Sequence, residues 1–201
     1  MSSDSLTKSF QSTLSFRPHR TIVLVGLMGA GKTSIGRRLA KRLDLEFFDS
    51  DHEVEAAAGS PIKEIYNLYG EDAFKKGEFK VINRLLEQDP HVLATGGGSF
   101  KNEETRNKIK EKAISVWLKA DIDTLVARVS RRNDRPLLEG VDQRETLMGM
   151  IDEMYPIYAK ANIAVDTFDE PTGATVDRVV MGLTDHIREK YPNEYILKSL
   201  D

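Results

Sequence analysis

The 201-residue chain contains no cysteine. That excludes disulfides, thiolate catalysis and cysteine-ligated zinc, and it suits a reducing compartment. Histidine is scarce too. His19, His52, His91 and His186 stand far apart, without metal-ligand spacing. No stretch approaches the roughly 20 apolar residues needed to cross a bilayer. The formal net charge is only -3, so no global field draws the protein to nucleic acid or an anionic membrane. Nor is there a clustered basic-aromatic stripe. Residues 1–20 are polar and serine-rich and lack the apolar stretch of a secretory signal. They read as a flexible extension, and the expected location is the cytoplasm.

What remains is an ordinary globular composition, 40% hydrophobic and 30% charged, of a length that suits one domain. Apolar, strand-like runs occur at Thr21–Val25, Leu45–Asp49, His91–Thr95, Ser115–Lys119 and Asn162–Asp166. Continuous apolar runs suit strands buried on both faces of a parallel sheet. Between them, Lys32–Leu43, Glu71–Glu87 and Val176–Ile187 carry apolar residues at helical spacing. Strand-helix alternation predicts right-handed crossovers in an open α/β sheet. Two stretches depart from it. Residues 51–90 have room for two or three helices between consecutive strands, enough to cover a second ligand. Residues 131–142, rich in charge and holding Pro136 and Gly140, read as a mobile loop. The domain is expected over 21–191, with a tail over 192–201.

Gly26-Leu27-Met28-Gly29-Ala30-Gly31-Lys32-Thr33 matches G-x-x-x-x-G-K-[ST] between an apolar run and an amphipathic helix. Glycines let the backbone curl so that several N–H groups face one anion. The backbone of Gly29, Ala30 and Gly31, with Lys32, Thr33 and Ser34 at the helix start, therefore predicts a nucleotide phosphate site. The Lys32 ammonium reaches the outer phosphates, and the Thr33 hydroxyl can ligate Mg²⁺.

The second run ends in Asp49-Ser50-Asp51. In an extended chain residues i and i+2 point to one side, and ligands of open α/β sheets lie beyond the carboxyl ends of strands. One carboxylate can order a metal's water shell while the other holds and deprotonates an acceptor hydroxyl. Taken alone the pair would more often be a helix cap, with Asp51 before His52; beside the phosphate loop the functional role is favoured, and both can coexist. Gly96-Gly97-Gly98 follows the third run and permits close backbone approach of a ligand.

The phosphate loop, Asp49-x-Asp51, Gly96-Gly97-Gly98 and Arg135-Pro136-Leu137-Leu138 occur in the order and approximate spacing of shikimate kinases. Gly70-Glu71-x-x-Phe74 with Glu78, and Pro156-x-Tyr158, add to the likeness. The chain thus resembles that family over about residues 20–188. The resemblance implies a five-stranded parallel sheet flanked by helices, with a substrate-binding insertion and a mobile lid. It implies transfer of the ATP γ-phosphate to the 3-hydroxyl of shikimate, in aromatic amino-acid biosynthesis; separately, a monomer is expected. Lys32 and Thr33 would bind phosphates and Mg²⁺, with Asp49 in the metal's outer shell. Asp51 would bind shikimate and act as base. Gly96, Gly97 and Gly98 would offer backbone to the substrate. Arg135 would be the lid arginine over the transferring group. Arg131 or Arg132, with Pro171, would lie on the adenine side.

Two positions depart from the family pattern. Lys75 stands where members usually have arginine, and Met154 where a second arginine is usual. Those arginines grip the substrate carboxylate. Lysine keeps charge but loses the two-pronged geometry, and pairing with Glu78 on the same helix would compete for it. Lys76 or Lys101 could supply the lost charge. Otherwise shikimate is bound poorly or the acceptor is a related polyol; a separate alternative is a nucleotide-binding relative without catalysis.

Overall fold

The structure is a computed structural model that describes residues 18–131 and 142–192. Five strands form the sheet: β1 (Thr21–Val25), β2 (Glu46–Asp49), β3 (His91–Ala94), β4 (Ala113–Ala120) and β5 (Ile163–Thr167). Their order is β2-β3-β1-β4-β5, and every neighbouring pair is parallel. Seven helices are described: α1 (Lys32–Leu43), α2 (Ser50–Ala58), α3 (Ile62–Leu86), α4 (Glu103–Lys112), α5 (Ile122–Ser130), α6 (Gln143–Tyr158) and α7 (Thr172–Lys190). A short 3₁₀ turn covers Ser99–Lys101.

Strand position explains the burial of each run. β1 and β3 are buried throughout, and β4 is buried except at Lys119. β2 and β5 are the edges, where Glu46, Ala164 and Asp166 are exposed. One core layer packs α3, α4 and α6 on one face of the sheet through Ile82, Leu85, Ile109, Leu147 and Tyr158. The other packs α1 and α7 on the opposite face through Leu39, Leu43, Val179 and Leu183. A Cβ on Gly36 would lie 2.5 Å from the Phe47 ring, so a glycine there lets α1 lie close to β2.

The region expected to hold two or three helices holds two, and α3 is itself kinked at Gly70 (φ 79°, ψ 174°). The expected helix from Glu71 is the second arm of that kinked pair. A left-handed glycine breaks the hydrogen-bond ladder without a side-chain clash. Ile65 of the first arm, Ile62–Tyr69, is buried in the same core layer as Ile82 and Leu85 of the second. The expected extension over 1–20, lid over 131–142 and tail over 192–201 fall largely outside the described residues, and Arg132 and Arg135 lie wholly outside them.

Candidate active site

The phosphate loop joins β1 to α1 where the sequence requires. Gly26 (φ 143°), Gly29 (φ 82°) and Gly31 (φ 95°) hold conformations that side chains disfavour, and a Cβ on Gly26 would lie 2.7 Å from the Leu118 carbonyl. Gly31 is the N-cap of α1 and offers no side chain to the first-turn N–H groups. Those donors are thereby kept for an external acceptor such as phosphate. Lys32 Nζ donates to the carbonyls of Gly26 (2.8 Å) and Leu27 (3.0 Å), folding over the loop it serves.

Arg128 of α5, which the sequence reading passed over, braces the same loop. Its Nη1 donates to the carbonyls of Gly29 (3.3 Å) and Ala30 (3.1 Å) and to Thr167 Oγ1 (3.2 Å). Its Nη2 donates to the Phe168 carbonyl. One guanidinium thus ties the phosphate loop to the β5–α7 connection. The only sequence signal was an arginine in an otherwise apolar helix, Leu125-Val126-Ala127-Arg128-Val129. Arg131, one of the two arginines expected on the adenine side, is paired through both guanidinium nitrogens with Asp169 of that connection, at 3.0 and 2.9 Å. Pro171 is the N-cap of α7.

Asp49 and Asp51 come together, though not as an extended pair. The strand stops at Asp49, and Ser50 opens α2. Asp49 is the cap: its Oδ1 accepts from the Asp51 N–H at 3.2 Å, and its Oδ2 accepts from Thr33 Oγ1 at 2.8 Å. Asp51, expected as the possible cap, lies in the first turn. Burial, then the neighbouring Asp49 charge, pushes the Asp51 carboxyl above its ordinary value, while the Lys32 ammonium works in the opposite direction. A raised pKa makes this carboxylate a better proton acceptor than a solvated aspartate.

The strand order places the glycine turn. β3 lies between β2 and β1, so Gly96–Gly98 emerge between the two aspartates and the phosphate loop. Gly96 N–H donates to Ser50 Oγ (2.9 Å), and Ser99 Oγ bonds back to the Gly96 carbonyl (3.0 Å). Tyr158 Oη donates to the Gly97 carbonyl at 2.5 Å, giving Pro156-x-Tyr158 a structural task. A Cβ on Gly97 would meet Met28 N at 3.8 Å and the Gly26 carbonyl at 3.9 Å, so the turn runs close beside the phosphate loop.

Glu78 of α3 completes this corner. It is only 7% exposed, and its Oε1 lies 2.5 Å from Ser99 Oγ. Burial raises its pKa; the Ser99 hydrogen bond opposes the rise, and the Asp51 charge adds to it. A Cβ placed on Gly96 would be 2.7 Å from both Asp51 Oδ1 and Glu78 Oε1, so the two carboxyl groups crowd one point. Lys75 is not Glu78's salt-bridge partner as expected. It bonds Glu71, one turn back, at 2.7 Å. Both pairings are sterically open to a helical lysine, but Glu78 turns into the core, while Glu71 lies on the exposed surface with Lys75. Met154 is buried in the core cluster, 6% exposed.

Among the described residues no group of three or more His, Asp or Glu could cage a metal ion. The hydroxyl–carboxylate pair of Thr33 and Asp49 fits Mg²⁺ nonetheless. That ion keeps much of its water and is bound by few protein oxygens together with substrate phosphates.

The comparisons with known proteins bear on this geometry. The family model described as shikimate kinase matches residues 28–184. The shikimate kinase of Caulobacter vibrioides is 55% identical over 164 residues, covering 82% of each chain. That of Paramagnetospirillum magneticum is 53% identical, covering 87% of this chain and 89% of the relative. The solved shikimate kinase from Acinetobacter baumannii in complex with shikimate superimposes with a TM-score of 0.76 at 32% identity. It covers 92% of this chain and 98% of that one.

The chain belongs to the shikimate kinase family. Its open five-stranded parallel sheet and P-loop kinase architecture are those of the family, as the sequence predicted. Shikimate kinases are phosphotransferases acting on an alcohol group, with ATP as the phosphoryl donor.

Proposed function

We propose that this protein transfers the γ-phosphoryl group of Mg·ATP to the 3-hydroxyl of shikimate, acting as a monomer in the cytoplasm. The observation that carries the reading is the close approach of the glycine turn to the phosphate loop, with Asp51 beside Gly96. A phosphoryl donor held by Lys32 and the α1 N-terminus would lie beside an acceptor held on Gly96–Gly98. The acceptor oxygen attacks the γ-phosphorus, and its proton passes to the Asp51 carboxylate. The bond from the γ-phosphorus to the bridging oxygen breaks, and ADP leaves with that electron pair. Lys32 offsets charge on the outer phosphates. Arg135 supplies the second cation in this reading, and it lies outside the described residues. Thr33 and Asp49 would hold Mg²⁺, which supplies charge neutralisation of the phosphate oxygens. Arg128 keeps the loop carbonyls turned inward, so that the N–H groups face the donor.

A different small hydroxylated acceptor is favoured by one observation, the burial of Met154 where an arginine is usual in the family. The test is an ADP-release assay with shikimate and its analogues, followed by phosphorus NMR of the product. Shikimate-dependent release giving a single 3-phosphate ester is the expected result. ATP binding with no acceptor-dependent turnover would overturn the reading.

A further inference from the structure

Glu78 is a buried carboxyl that the phosphoryl-transfer step leaves unused. Among the described residues no cation is bonded to it. Lys75, three residues earlier on the same helix, bonds Glu71. Lys101, on the neighbouring 3₁₀ turn, bonds Glu153 of α6, and Arg106 of α4 donates to the carbonyls of Phe100 and Lys101. Tyr66, on the first arm of α3, is a phenol raised above its ordinary value by burial and so stays neutral. The charged group beside Glu78 is Asp51 of α2, of the same sign. A carboxylate buried next to a second carboxylate without a cation is costly, whereas a neutral acid there is not.

The hydrogen bonds count the protons. Ser99 Oγ lies 2.5 Å from Glu78 Oε1 and 3.0 Å from the Gly96 carbonyl oxygen. A hydroxyl has one proton to give, and a carbonyl can only accept. Both bonds form together when Glu78 carries a proton and gives it to Ser99, which gives its own to Gly96. An ionised Glu78 would take the Ser99 proton and leave the Gly96 carbonyl to the Ser99 N–H at 3.2 Å. Burial, the largest effect, raises the Glu78 pKa, and Asp51 adds to the rise against the Ser99 bond and the Lys75 charge.

The chain of bonds ends on the glycine turn. Gly96 N–H is held by Ser50 Oγ at 2.9 Å, and the Gly97 carbonyl by Tyr158 Oη at 2.5 Å. The N–H groups of Gly97 and Gly98 make no hydrogen bond among the described residues. The turn is thus tied down from behind, with its next two donors left for an acceptor. The same acid bears on the base. A Cβ on Gly96 would be 2.7 Å from both Glu78 Oε1 and Asp51 Oδ1, so those oxygens lie within twice that distance of each other. Two carboxyl groups so close ionise one before the other.

We infer that Glu78 is a positioning residue that acts as a neutral acid: it donates to Ser99, Ser99 holds the Gly96 carbonyl, and Asp51 is left as the ionised member of the pair. The inference deepens the proposed function and rests on it for the identity of the acceptor.

The experiment compares wild type with Glu78→Gln, Glu78→Ala and Ser99→Ala, with thermal melting as a check on folding. The infrared difference spectrum of wild type minus Glu78→Gln, at neutral pH and without substrate, should contain the C=O stretch of a protonated carboxylic acid. Glu78→Ala and Ser99→Ala should each raise the KM for shikimate about 2- to 10-fold, the range for one neutral hydrogen bond, and leave the KM for ATP as it was. Glu78→Gln keeps a neutral donor and should recover most of the loss seen with alanine. The acid limb of kcat/KM for shikimate against pH should coincide in Glu78→Gln and wild type. If Glu78 were ionised, the amide would remove a negative charge beside Asp51, and that limb would move to lower pH. A carboxylate band in place of the acid band, a limb that moves, an unchanged KM in Ser99→Ala, or a Glu78→Gln protein that is unfolded or as impaired as Glu78→Ala overturns the inference while shikimate turnover by wild type keeps the proposed function standing. The acid band in a wild type that does not phosphorylate shikimate overturns the proposed function and leaves the proton on Glu78.

Discussion

Alanine at Gly96 tests the packing of the acceptor corner. The new Cβ would lie 2.7 Å from Asp51 Oδ1, 2.7 Å from Glu78 Oε1 and 3.1 Å from Ser99 Oγ. Carbon–oxygen contacts settle at about 3.3–3.6 Å, so each carboxyl must retreat by more than about half an ångström. Gly96 is not among the glycines with positive φ, so alanine fits the backbone and the effect is steric. Glu78 is buried and bonded to Ser99, so Asp51 is the group freer to move. A catalytic group displaced by about 1 Å costs on the order of 100-fold. The shift here therefore predicts roughly a 10- to 100-fold loss in kcat/KM for shikimate. Overpacking should also cost about 1–3 kcal/mol of stability, read as a fall in Tm of roughly 2–4 °C per kcal/mol. ATP affinity should be unaffected. The control is Gly98→Ala, whose Cβ meets nothing within 4 Å and should leave Tm unchanged. A Gly96→Ala protein with wild-type kcat/KM and Tm would refute the crowding argument.

Further outcomes follow from Glu78 and Arg128. The Glu78 pKa is raised by burial. Its contribution to stability is therefore fully present below the unfolded value near 4.5 and is lost as pH rises through the folded value. Glu78→Gln removes that ionisation, so its Tm relative to wild type should improve from pH 4 to pH 8; a difference that does not vary with pH contradicts this. Arg128→Ala removes hydrogen bonds to two phosphate-loop carbonyls and to the β5–α7 connection. It should raise the KM for ATP by about tenfold or more, at the 1.5–3 kcal/mol typical of charge-assisted bonds, with a smaller effect on the KM for shikimate. Titration calorimetry with a non-hydrolysable ATP analogue checks the binding part.

The sheet was legible where burial is continuous. Thr21–Val25 is predicted and found with the same ends, because a strand buried on both faces carries an uninterrupted apolar run. The phosphate loop was legible because its backbone demands glycine at fixed positions and its chemistry demands Lys32 and Thr33. The contacts that shape the acceptor corner were not. Ser50, Glu78, Ser99 and Tyr158 come from four separate segments and meet only because β3 inserts between β2 and β1. Chain order does not encode that insertion. Local reasoning also misassigned the charge pairs. Helical spacing permits Lys75 to pair with Glu71 or Glu78, and only the burial of Glu78 against Ser99 decides between them. The aspartates converge for a reason the extended-chain argument missed: Asp49 caps α2 and so brings Asp51 onto the first turn.

Asp51→Asn is the most direct test of the account, measured as single-turnover phosphoryl transfer to shikimate beside the binding of ATP. The amide keeps the size and one acceptor oxygen but cannot take the hydroxyl proton. General-base contributions of about 100- to 10,000-fold predict a fall of that order in the transfer step, with ATP binding intact. Transfer at the wild-type rate would show that the proton leaves by another route and that Asp51 is not the base at the meeting of phosphate loop and glycine turn.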